Sequence, residues 1–390
     1  MFTMSGAQLI VKLLERQSVE MIAGIPGGAN LPLYDALLAS KKIRHILCRH
    51  EQGAGFFAHG IARAKGTVGV CFATSGPGAT NLMTAVADAY LDSIPLVCIT
   101  GQVPLSMIGT DAFQEVDTYG MSIPITKHNF LVRRPEEILE IIPRAFEMAM
   151  SGRPGPILID VPKDIQSAMI SFESWPEPGE RALPGGPDKD MLARAVTMIE
   201  KARRPVLCLG GGIVHSSAAL EARLLAEKSN IPTTMTLMGL GCLPADHSLS
   251  LGMLGMHAVR ATNYALQECD LFISAGGRFD DRATGKILEF CPEASVIHMD
   301  IDPSEVSKLR FAHVGLIGDV RQTLAALHPQ LQSRNRRRWL QRIEQLRQEY
   351  PVATDESLNS VPARPRQVFE AIASQLGEHG IVATDVGKHQ

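Results

Sequence analysis

Nothing in this sequence reaches ~18 consecutive apolar residues, so no segment reads as a membrane-spanning helix. The seven cysteines, at positions 48, 71, 98, 208, 242, 269 and 291, include no C-x-x-C pair. That spacing argues against a zinc site and for free, buried thiols in a reducing compartment. An excess of one charge is also missing: 38 Lys and Arg stand against 41 Asp and Glu, a net charge of -3. No global field therefore invites nucleic acid or a membrane surface. The densest basic run, Arg334, Arg336, Arg337 and Arg338, reads as a solvated helix face. Residues 1–17 carry Lys12, Glu15 and Arg16 and read as an amphipathic first helix rather than a signal peptide. The cytoplasm is the default location. A complete G-x-G-x-x-G is absent as well, because in LGGGIVH a histidine, His215, stands where the third glycine belongs. That counts against a generic NAD-binding Rossmann site.

What is present is a soluble, globular composition, with 45% hydrophobic and 20% charged residues. At ~100–200 residues per domain, 390 residues imply two or three domains. Short β-branched runs alternate with helical patterns, as in TVGVCFATSG followed by NLMTAVADAYL, then PLVCITGQ and PILIDVPKD. This alternation predicts α/β units with doubly wound parallel sheets. A first domain is expected over 1–165, and the Pro- and Gly-rich stretch 166–189 is expected as a linker. A second series over 190–345 carries the strand candidates RPVLCLGGG, IPTTMTLMG, DLFISAGGR, SVIHMDID and HVGLIGDV. Residues 346–390 read as a linker and the opening of a third unit, with a helix in RQVFEAIASQL and a strand in HGIVATDVG.

Several strings sit where a strand hands over to a helix. In RHEQGAG, Glu51 follows an apolar run and opens a helical segment, so its carboxylate is either a helix cap or a chemical tool. SGPGATN, with Ser75, Gly76, Pro77, Gly78 and Asn81, follows the strand VCFAT. Its glycines let backbone N–H groups approach a ligand, though a tight turn explains them too. GIPGG, ending in Gly27 and Gly28, is a similar turn. RFDDRATGK follows DLFISAGG at the carboxyl end of a strand, where α/β sheets bind ligands; a salt-bridged surface loop is the plain alternative. The carboxylates of IHMDID suit ribose hydroxyls or a helix cap. GMLGMH reads as a core loop or a flavin-ring contact. Spacing alone makes the second domain a nucleotide-binding module.

Taken in order, RHEQGAG, TSGPGATN, LDSIPLVCITGQV, IGTDAFQE, SGRPGPILIDVPKD, LGMLGMH and RFDDR closely resemble the catalytic subunits of the acetolactate (acetohydroxyacid) synthase family, over essentially all 390 residues. The resemblance implies a pyrimidine-binding domain for thiamine diphosphate (ThDP), then an FAD-binding domain of the six-stranded, DHS-like type. It implies ThDP, Mg²⁺ and FAD as cofactors. The family decarboxylates pyruvate and joins the remainder to a second 2-oxo acid. The products are 2-acetolactate or, from 2-oxobutyrate, 2-aceto-2-hydroxybutyrate, on the way to valine, leucine and isoleucine. A homodimer or tetramer of catalytic subunits and a small regulatory subunit are the implied partners.

By the same resemblance Glu51 matches the ThDP-activating glutamate, an acid–base group acting through the cofactor. Gly27, Gly28, Ser75, Gly76, Pro77, Gly78 and Asn81 match loops flanking that cofactor. Phe113, Gln114 and Lys163 match the entrance used by the second 2-oxo acid. Arg153, Gly210, Gly211, Gly212, Thr236, Leu237, Met238, Leu254, Gly255, Met256 and His257 match the flavin cleft. Gly276, Arg278, Asp280, Arg282, Asp300, Ile301, Asp319 and Val320 complete it. The family's GDG…N motif, which holds the diphosphate and the metal, is not found; GDV at 318–320 is the near match, and no metal ligand is expected here. Lys388 stands where the family has glutamine. From these departures the 390 residues are expected to make no acetolactate by themselves. A flavin-binding remnant and a related ThDP decarboxylase or oxidase are the alternatives.

Overall fold

The computed structural model describes residues 1–182, 184–351, 364–377 and 380–387. The first unit runs β1 (Phe2–Ser5), α1 (Gly6–Arg16), β2 (Met21–Gly24), α2 (Leu31–Leu38), β3 (Arg44–Leu47), α3 (Glu51–Lys65), β4 (Gly69–Ala73) and α4 (Pro77–Leu91). It continues through β5 (Leu96–Gln102), α5 (Thr118–Ser122), β6 (His128–Leu131), α6 (Ile138–Met150), β7 (Pro156–Pro162), α7 (Lys163–Ser167) and β8 (Met169–Phe172). Six of these strands form one parallel sheet in the order β3-β2-β4-β5-β7-β6. β4, β5 and β7 are buried throughout, as central strands covered by helices on both faces must be.

The first helix forms as its spacing predicts. Ser5 Oγ accepts from Gln8 N and Gln8 Oε1 accepts from Ser5 N, a reciprocal cap. Leu9, Ile10, Leu13 and Leu14 then face the core. β8 lies inside the stretch expected as linker. It pairs antiparallel with β1, so the first unit's ordered packing continues to Phe172, which stacks against Phe2.

The second unit holds α8 (Lys189–Lys201), β9 (Pro205–Leu209), α9 (Gly211–His215), α10 (Ala219–Ser229), β10 (Thr233–Met235), β11 (Ser250–Met253), α11 (Arg260–Glu268) and β12 (Leu271–Ala275). It ends with α12 (Asp281–Thr284), β13 (Ser295–Asp300), β14 (Val314–Ile317), α13 (Val320–Leu327) and α14 (Arg337–Glu349). Its six-stranded parallel sheet has the order β11-β10-β9-β12-β13-β14. β11 overlaps the Met- and Gly-rich string read as a loop. α14 crosses position 345, because Trp339, Ile343 and Leu346 bury themselves in this unit's core.

The basic run at 334–338 is not uniformly solvated. Arg336 is buried, and its guanidinium donates to the carbonyls of Ile199 and Ser229, closing the C-terminal turns of α8 and α10. Beyond the second unit, α15 (Pro365–Leu376) forms as expected. The strand expected in HGIVATDVG does not: residues 380–387 have no strand, and Ile381 and Val386 are exposed. A strand exists only through pairing, and no strand among the described residues pairs with it. Lys388 lies outside the described residues.

Candidate functional site

The carboxylate of RHEQGAG is not a cap. His50 caps α3, its Nδ1 accepting from Gln52 N at 3.1 Å. Glu51 is the first helical residue and only 9% exposed. Its Oε2 accepts from Asn81 Nδ2 of α4 at 3.0 Å. α3 and α4 come close enough for this because Gly55 has no side chain; a Cβ there would stand 2.5 Å from Ala85 Cβ. Gly78 clears the other oxygen, since its Cβ would sit 3.3 Å from Glu51 Oε1 and 2.7 Å from Thr74 Cγ2.

The turn feeding α4 is equally tight. Gly76 has φ 57 and ψ -117, a conformation open essentially to glycine alone, and Pro77 starts the helix. A Cβ on Gly76 would meet the backbone oxygen of Gln114 at 2.5 Å. Gly27 packs on Thr74, whose hydroxyl accepts from Ala29 N at 3.3 Å, and no heavy atom lies within 4 Å of a Cβ built on Gly28. Three loops thus gather beyond the carboxyl ends of β2, β4 and β5, with Glu51 among them. Ser75 is buried in the same turn. Gln114 sits half-buried with φ 58, whereas Phe113 and Lys163 project into solvent.

A second feature is a cavity of about 640 Å³ between the two units. Ligand pockets of ~300–1,000 Å³ hold small molecules and cofactors. Of the residues expected around a flavin, Arg153, Gly211, Gly212, Thr236, Leu237, Met238, Leu254, Met256, His257, Gly276, Arg278, Asp280, Arg282, Asp300, Ile301, Asp319 and Val320 line it. Gly210 and Gly255 do not. Gly210 lies backbone to backbone against Gly276 and Gly277, and Gly255, at φ 89, against Arg282 and Ala283. They let segments approach one another rather than a ligand.

Sequence reasoning missed Asp92, Ser93, Pro154, Arg181, His215, Ser216 and Glu305 in this wall, whereas Met253, Gly277 and Ala283 lie in or beside strings that it singles out. In the sequence His215 reads only as the residue that breaks a glycine pattern, and Arg181 falls in the stretch expected as linker.

The wall is strongly polarised. Arg153 donates to Ser93 Oγ at 2.8 Å, to Leu91 O at 3.3 Å and to Glu305 Oε1 at 3.2 Å, and lies 3.5 Å from Asp302. It thereby ties α4's end to the turn after β13. Asp319 caps α13 through Arg321 N and Gln322 N and pairs with Arg181 at 3.4 Å. The Nε of Arg181 is buried with no partner among the described residues. Burial pushes the Asp300 carboxyl up to about 6. Burial likewise lowers the pKa of His215, with Arg63 adding to the effect. Asp92 of the cavity wall also meets His59 and Asp88, the three bringing their ligand atoms within 4.8 Å of one another. Arg63 pairs with Asp92 at 2.5 Å and supplies the positive charge there.

Residues 4–121 match the family described as "Thiamine pyrophosphate enzyme, N-terminal TPP binding domain", and residues 192–327 match "Thiamine pyrophosphate enzyme, central domain". Over 386 residues the chain is 54% identical to acetolactate synthase isozyme 1 large subunit of Escherichia coli K12, covering 99% of this chain and 68% of the relative. It is 49% identical to isozyme 2 large subunit of the same organism, covering 99% and 69%. It is 47% identical to a probable acetolactate synthase large subunit of Methanocaldococcus jannaschii, covering 99% and 67%.

Proposed function

The chain belongs to the acetolactate synthase large subunits, a family of ThDP-dependent enzymes, and on that premise we propose how its residues divide the work. The family reaction joins decarboxylated pyruvate to a second 2-oxo acid in branched-chain amino acid biosynthesis. ThDP, when bound, supplies the electron sink that lets pyruvate lose CO₂. Glu51 exchanges a proton at N1′ of its aminopyrimidine ring. The observation carrying this role is a buried carboxylate at the start of α3 whose one hydrogen-bond donor among the described residues is Asn81. A structural carboxylate so deep would gather more donors; this one keeps Oε1 without a partner among the described residues, on the side cleared by Gly78. The loops at 27–28 and 75–78 border the cofactor, and Phe113, Gln114 and Lys163 border the second substrate.

The cavity fits FAD on two observations. Arg181 presents a buried, unpartnered Nε, suited to a diphosphate oxygen. Gly211 of α9 leaves the wall bare, since a Cβ there would touch only Met238. Arg278 and Arg282 face the same space, and Asp300 suits a ribose hydroxyl. FAD, when bound, has no net redox role in this reaction. Mg²⁺ accompanies the ThDP diphosphate, and no residue of this chain is assigned to it. The relatives' designation as large subunits supports a small-subunit partner. Exposed Phe56 and Phe57 on α3 support a second copy as another. No helix among the described residues is long and apolar enough to cross a membrane.

Glu51→Gln in the full-length holoenzyme tests the assignment. Glutamine keeps the shape and loses the proton, so turnover should drop by about 10²–10⁴-fold with flavin content unchanged. Turnover close to wild type would reject it.

A further inference from the structure

Asp160 lies in the middle of the first sheet, on β7, and is 1% exposed. Its carboxyl group meets no cation. Oδ1 accepts from Thr100 Oγ1 at 2.6 Å and Oδ2 from Gln102 Nε2 at 2.9 Å. Gln102, at the end of β5, is 3% exposed and fully used. Its Nε2 also donates to Val116 O at 3.0 Å, and its Oε1 accepts from Val103 N at 2.9 Å. One buried amide therefore joins the floor of the sheet to both ends of the segment 103–116.

That segment is a long loop held from several sides. Leu105 N donates to the Asp164 carboxylate at 3.2 Å. Glu115 collects the N–H groups of Gly109, Thr110 and Ala112. Next to it, the Gln114 backbone lies against Gly76, at the head of the turn that delivers Gly78 and Asn81 to Glu51. A position in the sheet interior would be filled at lower cost by an apolar side chain. The polar group here does something an apolar one cannot: it reaches through Gln102 to a loop outside the sheet.

We propose that Gln102 and Asp160 are positioning residues, a buried latch that holds the 103–116 loop against the turn at Gly76 and so fixes Phe113 and Gln114 where the second 2-oxo acid is chosen. The inference rests on the reading of Phe113 and Gln114 given above. Neither latch residue is assigned a contact with substrate. The latch depends on hydrogen-bond connectivity, not on negative charge. An asparagine at 160 can accept from Gln102 through Oδ1 and donate to Thr100 Oγ1 through Nδ2.

The test uses the full-length holoenzyme given pyruvate and 2-oxobutyrate together, with the ratio of the two products as readout. Gln102→Leu removes three hydrogen bonds, so it should shift that ratio and raise the KM for the acceptor at least about fivefold, the factor carried by one of them. kcat at saturation and flavin content should stay close to wild type. Asp160→Asn should keep the wild-type ratio. Glu115→Ala loosens the same loop from its own side and should shift the ratio in the same direction. An unchanged ratio in both Gln102→Leu and Glu115→Ala overturns the proposal, as does an Asp160→Asn variant as impaired as Gln102→Leu. If Gln102→Leu does not fold, Glu115→Ala alone decides. Glu51→Gln, run alongside, separates the two levels. Full activity there fails the functional reading, whereas a dead Glu51→Gln beside unmoved ratios fails the latch alone.

Discussion

Replacing Asp160 with asparagine should stabilise this protein, and increasingly so as the pH rises. Burial pushes the Asp160 carboxyl up to about 7, against an ordinary value of 3.8, with hydrogen bonds from Thr100 and Gln102 opposing the shift and Asp117 adding to it. The folded state thus holds a proton that the unfolded chain gives up slightly more than three units earlier. Stability from this proton is fully present below pH 3.8 and is lost as pH climbs through about 7. At ~1.4 kcal/mol per unit, the ionised group costs ~4 kcal/mol above that pH, and ~2–3 kcal/mol of this appears between pH 5 and 8. Asparagine fills the same space and carries no titrating proton. The difference in unfolding free energy between variant and wild type, measured by urea titration at several pH values, isolates this one group from every other titration. It should grow by ~2–3 kcal/mol in the variant's favour from pH 5 to 8. A difference that stays flat across that range would refute the argument that burial governs Asp160.

Gly76→Ala places a Cβ against Gln114 O in a backbone conformation costing of order 1–3 kcal/mol for a non-glycine residue, so the melting temperature and turnover should both fall. Gly78→Ala intrudes 3.3 Å from Glu51 Oε1 and should lower turnover more than it lowers the melting temperature, which a side-by-side assay would show. Arg278→Ala should weaken flavin binding by ~1.5–3 kcal/mol through loss of one charge-assisted contact, read by fluorescence titration with FAD. Arg336→Met strips partners from the carbonyls of Ile199 and Ser229 and should cost ~1–3 kcal/mol of stability in urea while leaving turnover of the remaining folded enzyme unchanged.

The parts of this protein that were legible beforehand are those whose signal is local. A buried parallel strand is a short apolar run, so β4, β5, β7, β9, β12 and β13 could be read from their own residues. A strand-to-helix turn that must avoid a Cβ shows itself as glycine, which is why 76–78 stood out. The handover to a helix at Glu51 was equally plain, but not the cap: only the fold shows that His50 does that work and leaves Glu51 to Asn81.

What was hidden depends on distance along the chain. β8 is four residues with no strong pattern, and it exists because β1, more than 160 residues earlier, offers an edge. Arg181 reads as solvated linker charge until Asp319 is brought beside it, and Asp92 reads as the end of a surface helix until the second unit closes over it. Arg336 looked like one more member of a basic run, yet two helix ends, at 199 and 229, converge on it and bury it. Asp160 is the sharpest case. Within PILIDVP a lone carboxylate in an apolar run gives no hint of its partners, because Thr100 and Gln102 sit on the neighbouring strand, in register with Asp160 and Pro162. Local spacing therefore marks the strands and the glycine turns that border the candidate site. The groups that hold those in place are joined only by sheet register, and it is the register of β5 on β7 that makes a buried acid part of a loop's architecture.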